Sequence, residues 1–130
     1  MTQRTLIAGI GCRRQVAAED IVGLVDQALG AAESGRDALA ALAAPRFKEE
    51  EPALHEAAAA LGVGLTIIDE TAMETAQAHT LTRSACAERT FGIASIAEGA
   101  ALAAAGPGAV LVLPRIGNGR ATCALARRSS

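Results

Sequence analysis

The chain opens with an apolar segment, residues 5–10, that runs into Gly9-Ile-Gly-Cys-Arg-Arg14, and an amphipathic stretch begins a few residues later. β-Forming residues that end in Gly-x-Gly, followed by apolar positions at helical spacing, read as strand, tight turn and helix. Such a unit commits the chain to an α/β architecture, because its strand needs helices to cover it. A glycine turn between a strand and a helix start also exposes backbone N–H groups, which suit anions. Arg13 and Arg14 add positive charge at the same rim. The pattern points to a small ligand bearing carboxylate or phosphate groups. It is not a dinucleotide fingerprint: Arg14 stands where the third glycine belongs, and no acidic residue ends the next strand at Ala43.

Further along, residues 19–33 place Ile21, Leu24, Val25, Ala28, Leu29 and Ala32 on one helical face. Glu19 and Asp20 fall in the first turn, where negative charge favours the macrodipole. Residues 38–43 read as a strand by context, although alanine propensity alone points to helix. Pro52 opens the next helix, with Leu54, Ala57, Ala58 and Leu61 inward and Gly62 as its stop. Residues 65–69 form a strand, 71–80 read as short helix and loop, and 84–90 as a modest helix ended by Gly92. Ser95-Ile-Ala-Glu98 has the form of a capping box, opening an alanine-rich helix that Gly106-Pro107 stops after Ala105. Residues 110–113 and 121–126 flank Gly117-Asn-Gly119 and predict an antiparallel hairpin. The expected fold is a three-layer α/β/α domain over residues 1–130, its mixed, mostly parallel sheet ending in that hairpin.

Composition removes several function classes. A length of 130 residues supports a hydrophobic core without staples. A net charge of −2, no Trp or Tyr, and only Phe47 and Phe91 leave neither a basic stripe nor stacking platforms for nucleic acid. Cys12, Cys86 and Cys123 form no C-x-x-C pair, and His55 and His79 complete no zinc spacing, so neither a metal nor a cofactor is expected. Isolated cysteines fit a reducing, cytoplasmic setting. The first residues read as a strand rather than a signal peptide, and no apolar run is long enough to span a membrane.

Taken in order, the landmarks resemble the CobE/CbiG carboxy-terminal domain family of cobalamin biosynthesis. The resemblance rests on Gly9-Ile-Gly-Cys-Arg13 after the first strand and Phe47-Lys48-x-x-Glu51-Pro52 before a helix. Ser84 ahead of Gly92-x-x-Ser95-Ile-Ala-Glu98 continues it. Pro114-Arg115 and Arg120-Ala-Thr122-Cys-Ala124 in the hairpin complete it. The family usually carries a lysine where this chain has Arg115, so charge is kept but an amine able to act as base or nucleophile is not. The resemblance implies a precorrin or corrin intermediate as ligand, with its many acetate and propionate carboxylates, and other enzymes of that pathway as partners. Full-length CbiG-like proteins open a lactone on a cobalt-precorrin, but this chain matches only their last domain. A binding or chaperoning module is therefore the leading expectation. A CbiG-like hydrolase or rearrangement enzyme, or a scaffold for pathway enzymes, are the alternatives.

The candidate ligand-binding set is Gly9, Gly11, Cys12, Arg13, Lys48, Glu51, Ser84, Arg115 and Thr122. Each also has a plainer explanation. Cys12 beside two arginines could be an activated thiol or a small residue packed under the turn. Lys48 and Glu51 could orient a substrate or simply precede a helix. Glu98 is accounted for by the capping box. The basic members are expected on one side of the sheet, outside the carboxyl ends of its strands, ringing a concave site.

Overall fold

The computed structural model describes residues 5–12, 16–48, 50–69, 71–72, 93–106 and 108–128. Five strands form one sheet, β1 (Leu6–Cys12), β2 (Leu39–Pro45), β3 (Gly64–Ile68), β4 (Val110–Gly117) and β5 (Ala121–Arg127), in the order β3-β2-β1-β5-β4. β1, β2 and β3 run parallel, whereas β5 is antiparallel to both β1 and β4. The expected hairpin is present, and the sheet is mixed as the sequence predicts. Residues 39–45 form the doubtful small-residue strand because β1 and β3 supply hydrogen-bonding partners on both sides. That pairing overrides alanine's helical preference.

Helices cover both faces. α1 (Ala18–Ala31) and α2 (Pro52–Leu61) pack on the face that carries Leu6, Ala8, Ile10 and Cys12 of β1. α3 (Ile93–Ala105) covers the opposite face, over Ile7, Ala43 and Ala126. α1 buries Ile21, Leu24, Val25, Ala28 and Leu29, the face its periodicity predicts, with Ala32 at the margin. α2 starts on Pro52 and ends at Gly62, whose φ of 73° lets its N–H and that of Val63 return to the Ala59 and Ala58 carbonyls. A bidentate Arg36–Asp26 pair, at 2.9 and 2.7 Å, ties the short turn before β2 to α1 and lowers the Asp26 carboxyl below its ordinary range.

Three local expectations are corrected. β1 does not stop at Ile10; it continues to Cys12, so Gly9 and Gly11 lie within the strand and pair with Ala124 and Thr122. Ser95 does not cap α3, because Ile93 and Ala94 are already helical. Glu98 instead reaches across to the sheet: its Oε2 accepts the Arg115 N–H at 3.1 Å, a link from α3 to the edge strand β4. β4 also runs past Leu113 to Gly117, with irregular register between Leu111 and Leu113 and between Leu113 and Ile116. Pro114 cannot donate to a ladder, and the second irregularity is where an edge strand tolerates it. The expected short helix over 71–80 is described only at Thr71 and Ala72, and that over 84–90 lies outside the described residues.

Candidate functional site

The parallel strands β1, β2 and β3 all end at the same edge of the sheet. In open α/β sheets ligands gather outside such carboxyl ends. Here the edge carries Cys12 at the end of β1 and the turn Arg46–Lys48 after β2. Glu51 follows at the head of α2, its N–H donated to the Lys48 carbonyl at 3.0 Å. Thr122, opposite Gly11, directs its Oγ1 to the Gly11 carbonyl at 3.5 Å. Gly11, Cys12, Lys48, Glu51 and Thr122 are therefore brought to one edge, although the sequence scatters them over more than a hundred positions.

Cys12 lies under this edge rather than on it, with 3% of its surface exposed. Its thiol feels Lys48 and Glu51 with opposite signs. Burial raises its pKa most, Lys48 lowers it and Glu51 raises it again. The net effect is a thiol above its usual range, hence neutral at pH 7. Such a group is no thiolate nucleophile, and the packing explanation for Cys12 prevails. Cys123, two positions along β5 from Ala121, is buried deeper and pushed up to about 12 by desolvation.

Two consequences are measurable. Cys12→Ser should retain ligand binding, and native Cys12 and Cys123 should resist alkylation at pH 7 that modifies them readily after unfolding. Both thiols are raised in the folded state, so their contribution to stability is complete below the ordinary thiol pKa near 9.0 and fades as pH rises through the folded values. Melting temperature should therefore fall above pH 9 and fall less in a Cys12→Ser, Cys123→Ser variant. Rapid alkylation of Cys12 in the folded protein would contradict this placement.

Beside the edge lies an open cleft of about 720 Å³ between the heads of the two helices. Val16, Ala17 and Glu19 line it at the entry to α1, and Glu51, Pro52 and Glu56 at the entry to α2. The helix heads contribute amide N–H groups, but the ionisable lining is acidic. An anion at neutral pH would therefore be better served by the neighbouring Arg46 and Lys48 than by the cleft itself. Glu51 occupies the N-cap of α2 without spending its carboxylate on a cap. Asp20 performs the opposite service at α1, accepting the Ala17 N–H at 3.3 Å.

The remaining sequence candidates fall elsewhere or outside. Gly9 sits in mid-strand beneath α3, where a Cβ would stand 1.9 Å from the Ala97 carbonyl oxygen, so its need for glycine is one of packing. Arg115 lies on the outer strand β4, set back from the edge and held through its backbone N–H by Glu98. Arg13 and Ser84 lie outside the described residues. Sequence reasoning passed over Arg46, whose only local signal is a basic residue directly following a strand. Among the described residues no group of three or more His, Cys, Asp or Glu is arranged to hold a metal, and no helix is long and apolar enough to cross a membrane.

The profile of the family described as Cobalamin synthesis G C-terminus matches residues 6–126, from the start of β1 to the penultimate residue of β5. The chain belongs to this family. Protein CobE of a Sinorhizobium species is 34% identical over 121 residues, covering 93% of this chain and 79% of that protein. The crystal structure of CobE, a protein of the cobalamin (vitamin B12) biosynthetic pathway, superposes with a TM-score of 0.82 at 35% identity over 97% of this chain and 95% of that one. Cobalamin biosynthesis protein chiG from Agrobacterium tumefaciens gives 0.78 at 36% identity, over 96% and 99%. A putative cobalamin biosynthesis protein G homologue from Sulfolobus solfataricus, 21% identical with a TM-score of 0.73, shares the fold with 97% of this chain across 37% of its own length. Within this family of cobalamin biosynthesis proteins, the α/β/α frame and its strand-end edge are common property. The side chains on that edge are what a ligand would read.

Proposed function

We propose that this family member binds a precorrin-type tetrapyrrole at the carboxyl edge of β1 and β2. One observation carries the reading: Lys48 and Glu51 flank the end of β1 closely enough for both charges to act on the Cys12 thiol. That edge offers an ammonium for the ligand's acetates and propionates and a carboxylate for its pyrrolic N–H groups, with Arg46 alongside. Charge-assisted hydrogen bonds of this kind are the strong ones. Membership of a cobalamin biosynthesis family supports the ligand class, and isolated cysteines fit action in a reducing cytoplasm. A neutral, buried Cys12 favours presenting or sheltering an unstable intermediate over covalent thiol chemistry.

Purified protein mixed with each corrin-pathway intermediate, followed by gel filtration and mass measurement of the pigment, tests the proposal. Co-elution of unchanged pigment is the expected result. A changed mass would replace the binding module with a hydrolase or rearrangement enzyme. Failure of every pigment to co-elute would leave docking of pathway enzymes as the function.

A further inference from the structure

The tip of the β4–β5 hairpin brings a cation to the same edge, one that the site described above does not use. Asn118 builds the turn: its Oδ1 accepts the N–H groups of Arg120 and Ala121 at 3.0 and 2.9 Å. Its backbone N–H donates to the Ala121 carbonyl at 3.2 Å, and Gly119 supplies the φ of 87°. A side chain that mimics a backbone turn in this way fixes the direction of the next residue. The tip is also tied to the head of α1. Asn118 Nδ2 donates to the Asp20 carbonyl at 3.3 Å, and Arg120 Nη1 donates to Asp20 Oδ1 at 3.1 Å. Even so, the Arg120 side chain is 70% exposed. The pair with Asp20 engages a single N–H of a guanidinium that offers five.

We propose that Arg120 is a ligand-carboxylate contact, held in position by Asp20 until a carboxylate of the tetrapyrrole takes it over. The proposal rests on the polycarboxylate reading of this edge and deepens it. Ala121 pairs with Cys12, so Arg120 stands just beyond the end of β1, on the side away from β2 and Lys48. The strands that carry the two cations therefore flank β1 about two strand spacings apart, roughly 10 Å, which is on the scale of a tetrapyrrole ring. Exchange costs little, because an exposed ion pair contributes little to stability. The incoming carboxylate also replaces one bond to Asp20 with a two-bond fork that an amide cannot match. Arg120 thereby selects corrinoids whose side arms are still carboxylates over those already amidated.

Equilibrium dialysis with cobyrinic acid and with cobinamide, the same ring with its arms amidated, tests this. Arg120→Gln should weaken cobyrinic acid binding about tenfold and leave cobinamide nearly unchanged. Asp20→Asn, which keeps an acceptor for the Ala17 N–H, should tighten cobyrinic acid a few-fold by freeing Arg120. If Arg120→Gln proves unstable, Arg120→Lys, with the charge but not the fork, should give intermediate affinity for cobyrinic acid. Wild-type affinity in either Arg120 variant would overturn the proposal and leave the edge reading standing. Equal losses for both corrinoids in both variants would reduce the pair to a structural tie. No binding of cobyrinic acid by the wild-type protein would remove the edge reading as well.

Discussion

Gly9→Ala should strongly destabilise the domain, because it drives a methyl group into the backbone of α3. A Cβ at Gly9 would meet the Ala97 carbonyl oxygen at 1.9 Å, the Ala101 nitrogen at 2.6 Å and the Ala101 Cβ at 2.9 Å. Two of these are backbone atoms of α3, so no rotamer change relieves the overlap. The helix itself must move. α3 sits this close because Ala97, Ala100, Ala101 and Ala105 present small side chains to the sheet, and lifting it opens gaps along that whole face. Overpacking of this kind costs about 3 kcal/mol or more, which lowers the melting temperature of a domain this size by about 10 °C. Gly23→Ala is the matched control. Gly23 is an exposed helical position with nothing within 4 Å of a Cβ, and the change should stabilise α1 by about 1 kcal/mol. Thermal unfolding of the two variants checks both signs. A Gly9→Ala protein melting with the wild type would show that α3 does not lie where this structure has it.

Gly9 also shows how far the sequence could be read. An apolar run into Gly-x-Gly is compatible with a glycine that turns the chain and with one that lets another backbone approach. Only the position of α3 decides between them. Elements defined by local periodicity were legible: the buried faces of α1 and α2, Pro52 and Gly62 at the ends of α2, and the antiparallel hairpin each follow from residues a few positions apart. Residues 39–45 and Ser95-x-x-Glu98 were harder. In the first, ladder partners outweigh propensity; in the second, a partner on β4 claims the carboxylate that a local motif would have used. The candidate site was legible in part. Lys48, Glu51 and Cys12 were singled out from the motif and meet at one edge. The Asp20–Arg120 contact, a hundred residues apart in sequence, leaves no local pattern to find. Arg115 drew attention as the residue standing in for a lysine, yet its strand is anchored to α3 and set back from the edge.

Lys48→Glu should abolish most tetrapyrrole affinity while the fold persists. Lys48 ends a short turn and is only half-buried, so substitution there should change stability by no more than about 0.5 kcal/mol. For the ligand the change is severe, because it removes the ammonium at the end of β2 and adds a fourth carboxylate to the run Glu49-Glu50-Glu51 that follows it in sequence. Loss of a charge-assisted bond should weaken binding about tenfold in Lys48→Gln, and reversal of the charge should weaken it about a hundredfold in Lys48→Glu. Lys48→Arg should restore most of the affinity. Binding by the wild type should weaken as salt rises, and less steeply in Lys48→Gln, since one screened attraction is gone. Cys12 supplies a readout that needs no ligand. Lys48 lowers that thiol and Glu51 raises it, so Lys48→Gln should move its titration up and Glu51→Gln should move it down, as followed by thiolate absorbance with Cys86 and Cys123 replaced by serine. Opposite shifts together with unchanged ligand affinity would confirm the geometry and reject Lys48 as a binding residue. Unchanged titration in both variants would mean that the three side chains do not meet at all.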